Sequence, residues 1–241
     1  MGKIPKGRMK ARMAMILTIL AVAMLFAPNA YASSADENRA QRIVDRAQAT
    51  LNDFLRDSKD LKLHANLYHA KGVLIFPEVF QGGLILGGSR GTGVFLVRDE
   101  KRGDWSHPAF LTINSISLGL QVGGGVAELV ILAMNQEALD SLFFGCYTLG
   151  GDASIALGPV GAGVGRSRFV PDLAGKFISL AKSKGLYAGL NLTGALITER
   201  ESLERAYYGV ITWLEDIVLM DRVSNKGAAG LRETLKNGGS R

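Results

Sequence analysis

Val73-Leu-Ile-Phe-Pro77, Gly82-Gly-Leu-Ile-Leu-Gly-Gly88 and Gly91-Thr-Gly-Val-Phe-Leu-Val-Arg98 follow closely on one another, and their reading decides the fold. Each is a short apolar run of strand length, bounded by glycine or proline and too short for a buried helix. Pro77 ends the first run, and Ser89-Arg90 reads as a tight turn joining the second to the third. Leu111 to Val122, Thr148 to Val164 and Leu186 to Ile197 extend the pattern. The last alternates Leu190 and Leu192 with Asn191 and Thr193, as a half-buried strand does. Many of the 30 glycines fall inside these runs, where each costs conformational entropy and packs nothing. Bends, bulges and close backbone approach are the usual reasons to keep them, so the sheet is expected to be antiparallel and strongly curved or barrel-like.

Helical patterns surround this centre. Ser34-Ala-Asp-Glu37 has the spacing of a capping box, and Ile43, Ala47, Leu51, Phe54 and Leu55 then recur at helical intervals to about Ser58. The opposite face carries Arg39, Arg42, Asp45, Arg46, Asp53 and Arg56, a mixed pattern that reads as solvated surface. A second short helix is expected over Leu61 to Ala70. Asn135 is placed to cap a helix carrying Leu139, Leu142 and Phe143, and Asp172 one carrying Leu173, Phe177 and Leu180. Gly145 and Gly185 stand where left-handed caps would end them. Glu201 to Tyr208, Thr212 to Met220 and Ala228 to Lys236 read as three closing helices. The class is therefore α+β: a glycine-rich antiparallel sheet with N-terminal, intervening and C-terminal helices packed on it, in one domain over residues 33–241.

The first 32 residues have a different character. Lys3, Lys6, Arg8, Lys10 and Arg12 precede a 15-residue apolar run, Met13 to Ala27, and then Ala30-Tyr31-Ala32. That is the pattern of a secretory signal peptide cleaved after Ala32, the run being shorter than the roughly 20 residues of a spanning helix. Export to the periplasm or outer envelope is expected, with an uncleaved N-terminal anchor as the alternative. Five of the 28 Lys and Arg lie in this segment, which has no acid, so 23 basic residues face 22 acidic ones in the remainder. The high isoelectric point thus belongs to the targeting segment, and nucleic acid is not an expected partner. Cys146 is the only cysteine, so stability rests on the core and not on an internal disulfide.

Catalytic patterns are sparse. Gly87-Gly88-Ser89-Arg90-Gly91 matches Gly-x-Ser-x-Gly, but a nucleophile elbow needs a helix after the serine, and Thr92 to Val97 reads as a strand. Neither Gly88-Ser-Arg-Gly-Thr-Gly93 nor Gly161-Ala-Gly-Val-Gly165 is followed by Lys-Ser/Thr, so a phosphate-cradling loop is unsupported. His64 and His69 are five apart, on different helix faces, and no metal or other cofactor is indicated. The candidates for partner contact are basic: Arg90 in the expected turn, Arg98, Lys101 and Arg102 around the next, and Arg166 and Arg168 beyond Gly165. Arginine in loops is suited to holding phosphate headgroups. The apolar stripe of Ile43, Leu51 and Phe54 is a candidate membrane-facing surface.

An ordered series of strings resembles the SYLF family: Ala70-Lys-Gly-Val-Leu-Ile-Phe-Pro77, Gly87-Gly-Ser-Arg-Gly-Thr-Gly-Val94, Trp105-Ser-His-Pro108 and Gly119-Leu-Gln-Val-Gly-Gly124. Thr148-Leu-Gly-Gly-Asp-Ala-Ser154, Gly158-Pro-Val-Gly161, Ser183-Lys-Gly-Leu-Tyr-Ala-Gly189 and Tyr207-Tyr-Gly209 continue it, so the resemblance spans most of residues 37–235. It implies a lipid-binding module. Eukaryotic members bind phosphoinositides and, in yeast proteins that also carry Src-homology-3 domains, associate with actin filaments. Bacterial members are exported or membrane-associated. With no Src-homology-3 domain and a signal peptide in this sequence, actin is not the expected partner. The leading reading is an exported, non-enzymatic protein that docks peripherally on anionic lipid. The alternative is an envelope structural or stress-related protein acting through a protein partner, and a serine hydrolase built on Ser89 is the third.

Overall fold

The computed structural model describes residues 30–57, 63–83, 86–118, 123–143, 146–149, 168–171, 176–184 and 195–239. Helices α1 (Ala30–Asp57) and α2 (Leu63–His69) lead into β1 (Gly72–Gly83), β2 (Leu86–Asp99), the short β3 (Asp104–Trp105), β4 (Ala109–Leu118) and β5 (Gly123–Ala133). Helix α3 (Gln136–Leu142), β6 (Cys146–Leu149), β7 (Arg168–Pro171), β8 (Phe177–Lys184) and β9 (Ala195–Glu199) follow. Helices α4 (Glu201–Tyr208), α5 (Leu214–Val218) and α6 (Ala229–Gly238) close the chain, a 3₁₀ turn at Lys226–Ala228 preceding the last. The strands pair in the order β6-β9-β4-β2-β1-β5-β8-β7, every pair antiparallel, with β3 on β2.

The fold is α+β, but the sheet is open: its described path ends at β6 on one side and β7 on the other. The runs at its centre explain why it does not curl shut around one interior. Val73–Phe76, Val94–Val97 and Leu129–Ala133 are apolar at every position, so both sheet faces need cover. On one face Val73, Ile75, Val94, Leu96, Phe110, Val130 and Leu132 pack beneath α1, α2, α4 and α6. On the other, Leu74, Phe76, Phe95, Leu111, Leu129 and Ile131 pack against α3 and α5. Among the described residues, both cores are built from Ala40 onward.

Several sequence expectations are corrected. Ser89 and Arg90 are not a turn. They lie within β2, opposite Gln81 and Phe80 of β1, and the strand is continuous through them. Pro77 does not end β1, because a bulge between Ile75 and Glu78 takes it in; proline, lacking an N–H, is tolerated at such a site. Phe177 and Leu180 belong to strand β8 and not to a helix capped by Asp172, which with Gly145 and Gly185 falls outside the described residues. Strand β5, whose uninterrupted apolar run has no two-residue alternation to read, was not anticipated. Helix α1 starts at Ala30, so Ser34 lies inside it and is not its cap. Asn135 does cap α3, its side-chain oxygen accepting from the Ala138 amide at 2.8 Å.

The bulge has a consequence for the surface. By adding one residue to β1 it reverses the alternation, so Val79 enters the α3/α5 core while Glu78 and Phe80, opposite Thr92 and Arg90, turn toward α1. Gly93 stands across from the bulge, and a Cβ there would lie 2.2 Å from the Ile75 carbonyl oxygen. At Gly91 it would lie 2.7 Å from that of Glu78. Close backbone approach is the reason for this glycine pair.

Candidate functional site

The basic residues nominated from sequence separate into three groups. Arg98 is part of the framework: its Nη2 donates to the Leu67 carbonyl at 2.7 Å, its Nε to that of Ala70 at 3.1 Å, and its guanidinium lies 4.6 Å above the Trp105 ring. Partial burial lowers its pKa. Arg102 pairs with Asp221 at 2.8 Å and with Asp99, and both carboxylates raise its pKa above the ordinary arginine value. Asp99 also accepts from the Lys101 backbone amide and Lys71 pairs with Glu100; both arginines of this corner are taken up, while the exposed Lys101 side chain has no ion pair among the described residues. Arg166 lies outside the described residues. Arg168 is in β7 opposite Ala181, its side chain outside the description.

Arg90 is the exception, because here the structure gathers further arginines. A cleft of about 470 Å³ is lined by Arg39, Arg42, Ile43 and Arg46 from α1, Pro77, Glu78 and Phe80 from β1, Arg90 to Thr92 from β2, and Arg200 just before α4. Spacing explains the helix side, since residues 39, 42, 43 and 46 share one stripe along α1. The bulge explains the strand side. Arg46 is neutralised by Glu78 at 2.5 Å, and Arg200 reaches the Thr92 hydroxyl at 3.5 Å, the limit of a hydrogen bond. Arg39, Arg42 and Arg90 are exposed and have no ion pair among the described residues. Partial burial, then the charges of Arg39 and Arg90, lower the pKa of Arg200, while Asp36 opposes them. The cleft holds five arginines and one glutamate, a field suited to anionic oxygen.

The apolar stripe of α1 is used differently from its expected membrane role. Leu51 and Phe54 are fully buried against the sheet, and only Ile43, half-buried, reaches the cleft. An amphipathic helix facing a two-sided apolar sheet loses that face to the core. The sequence reading assigns Arg39, Arg42 and Arg46 to solvated surface because the α1 charges look balanced when the helix is read alone, and it does not single out Arg200. The stripe shared by Arg39, Arg42 and Arg46 was the available signal, and Arg200 had none.

No group of three or more His, Cys, Asp or Glu among the described residues is arranged to hold a metal. Ser89 points away from the cleft and shares a 2.6 Å hydrogen bond with Ser115. His107 is buried at the α6 junction, where its Nδ1 accepts from the Asn225 amide at 3.4 Å and its Nε2 lies 3.4 Å from Arg232, whose Nε donates to the Trp105 carbonyl at 2.8 Å. Burial, then Arg232, lowers the His107 pKa. With Tyr208 donating to the Pro108 carbonyl at 2.6 Å, the Trp105–Pro108 string is a structural joint between sheet and helices. One titratable pair remains. Glu204 is completely buried and accepts from the Phe110 amide at 3.2 Å, and its neighbour Glu199 is partly buried. Burial and Glu199 push Glu204 up to about 9, so the two carboxyls share a proton at neutral pH.

Comparison with known proteins finds relatives of the chain. The family model of Ysc84, described as Las17-binding protein actin regulator, matches residues 114–238. LAS seventeen-binding protein 3 of Saccharomyces cerevisiae is 35% identical over 146 residues, covering 59% of this chain and 31% of the yeast protein. An SH3 domain-containing protein of Schizosaccharomyces pombe is 34% identical over 145 residues, 59% of this chain and 33% of its own length. SH3 domain-containing YSC84-like protein 1 of Bos taurus is 31% identical over 167 residues, 69% of this chain and 48% of the bovine protein. The chain thus spans about a third to a half of the curated relatives it matches. No solved structure matches it.

Proposed function

The chain belongs to the Ysc84 family, also known by its SYLF domain, and we propose that this member is an exported module that docks peripherally on anionic lipid through the α1/β1/β2 cleft. The observation that carries the reading is the set of four arginines around one cleft, Arg39, Arg42, Arg90 and Arg200, that have no carboxylate in an ion pair among the described residues. Apolar surface lies beside them. Phe80, opposite Arg90, is 57% exposed, and Ile116, on the same sheet face one pair further along, is 83% exposed. Cations next to exposed apolar side chains fit a ligand that is itself amphipathic, a phosphate on an acyl glycerol. Basic residues near an anionic bilayer contribute about 1 kcal/mol each, so four amount to roughly 4 kcal/mol, enough for reversible docking.

The test is cosedimentation of residues 33–241 with phosphatidylglycerol and phosphatidylcholine vesicles at low and high salt. Binding should require the anionic lipid and fade with salt. The double variant Arg39→Glu, Arg90→Glu should lower affinity at least about 30-fold, two lost cations at about 1 kcal/mol each. Binding that ignores lipid charge, or survives this reversal, defeats the reading. A second reading draws on the relatives' names: a protein partner in place of lipid, with the same cleft receiving acidic side chains. Failure to bind either vesicle, with the fold intact, favours it.

A further inference from the structure

Five of the eight well-exposed large apolar side chains among the described residues fall between positions 210 and 220: Val210, Ile211, Trp213, Leu219 and Met220. Three of them sit on the link between α4 and α5, and local structure holds them outward. Gly209 ends α4 in a left-handed conformation, φ 72°, its amide donating to the Arg205 carbonyl at 2.9 Å. From there the chain alternates: Ile211 and Trp213 are 78% and 60% exposed, while Thr212 and Leu214 between and after them are buried. The far end is fixed where the Ile217 amide donates to the Trp213 carbonyl at 3.2 Å. A loop tied at both ends presents its apolar pair by construction and not by fraying.

Its position joins it to the arginine cleft. Ile211, Thr212 and Trp213 line a small concavity with Glu201, Ser202 and Arg205 on the outer side of α4. Arg200, the residue before that helix, lines the cleft itself. Glu201 and Ser202, which follow Arg200 directly in the chain, line the concavity with the apolar loop, so the two sites meet at the N-terminal end of α4.

We infer that this loop is a second membrane contact, with Ile211 and Trp213 entering the interfacial layer of the anionic bilayer whose headgroups occupy the cleft. The inference rests on the lipid reading above and adds the non-electrostatic part of the attachment. Tryptophan suits that layer, with an apolar body and one N–H donor. The irregular backbone of the loop keeps the contact shallow, because its polar groups must stay among headgroups and water.

The sequence contains two tryptophans, and Trp105 is buried beneath Arg98, so an emission change on adding vesicles reports on Trp213. Residues 33–241 mixed with phosphatidylglycerol vesicles should show a blue shift, and quenching should be stronger by lipids labelled near the headgroup than near the chain end. Ile211→Ser with Trp213→Ser should weaken binding about tenfold, about 1.4 kcal/mol, by a factor that persists at high salt, with unchanged thermal stability. Anionic vesicles that bind in a salt-sensitive way without altering emission or quenching defeat the insertion and leave the cleft reading standing. Absence of vesicle binding defeats both.

Discussion

The corner holding Arg98, Lys101 and Arg102 and the cleft holding Arg39, Arg42, Arg90 and Arg200 are both arginine-rich, yet their charges are treated in opposite ways. At the corner, Asp99 and Asp221 take up Arg102, and two carbonyls and an indole face take up Arg98. At the cleft, only Arg46 has a carboxylate among the described residues. The difference lies in what stands opposite. The corner faces a turn rich in acids, whereas the cleft lies between a helix stripe and a bulged strand that supply one glutamate between them. Arginine count alone therefore does not locate a binding surface in this fold; arginines left unmatched after packing do.

The strongest way to break the contrast is to remove the bulge that shapes the cleft. Gly93→Ala would force a methyl against the Ile75 carbonyl, and because that obstacle is backbone the two central strands must move apart. The expected cost is at least about 3 kcal/mol, with loss of vesicle binding as Glu78 and Phe80 leave their places. Gly82→Ala, where an added Cβ meets nothing within 4 Å, should leave the melting temperature almost unchanged. Equal melting temperatures for the two variants would show that the close approach carries no weight.

A smaller effect separates the two arginine groups directly. Arg98→Ala removes two charge-assisted bonds to carbonyls and the stack on Trp105, and should cost about 2 kcal/mol of stability, roughly 4–8 °C in melting temperature. Vesicle affinity of the folded fraction should not change. The Arg39→Glu, Arg90→Glu variant should behave in reverse, with binding lost and melting temperature held. If Arg98→Ala weakened binding while leaving stability intact, the corner and not the cleft would be the lipid site.

This contrast marks how far the sequence was legible. Apolar runs announced the α+β class, and the helical periods of α1, α3, α4 and α6 were readable because each has a one-sided stripe or a cap. Strands β5 and β8 were not: Leu129–Ala133 has no alternation, and Phe177 and Leu180 are three apart, which mimics a helix. The joining of β2 across Ser89-Arg90 was hidden because Gly-Ser-Arg-Gly is also good turn chemistry, and only its register against β1 and β4 decides. For the site, Arg90 was identified, but for a turn it does not occupy. Arg39, Arg42 and Arg200 gain meaning only when α1 and α4 are laid beside β2, long-range information that no local window contains.

A last effect, absent at pH 5, concerns a pair of acids, one before and one within α4, that do not line the cleft. Glu199 and Glu204 flank the start of α4, and burial holds Glu204 protonated up to about pH 9. Its folded pKa is raised above the ordinary carboxylate value, so the folded state binds the extra proton. That contribution to stability is complete below about pH 4.5 and is lost as pH rises through about 9. Glu204→Gln keeps an oxygen to accept from the Phe110 amide and offers Glu199 an N–H in place of the shared proton. The variant should match the parent at pH 5 and melt increasingly above it as the pH rises to 8 or 9, with a flatter stability profile between. Parallel pH profiles for the two proteins would mean that the pair shares no proton.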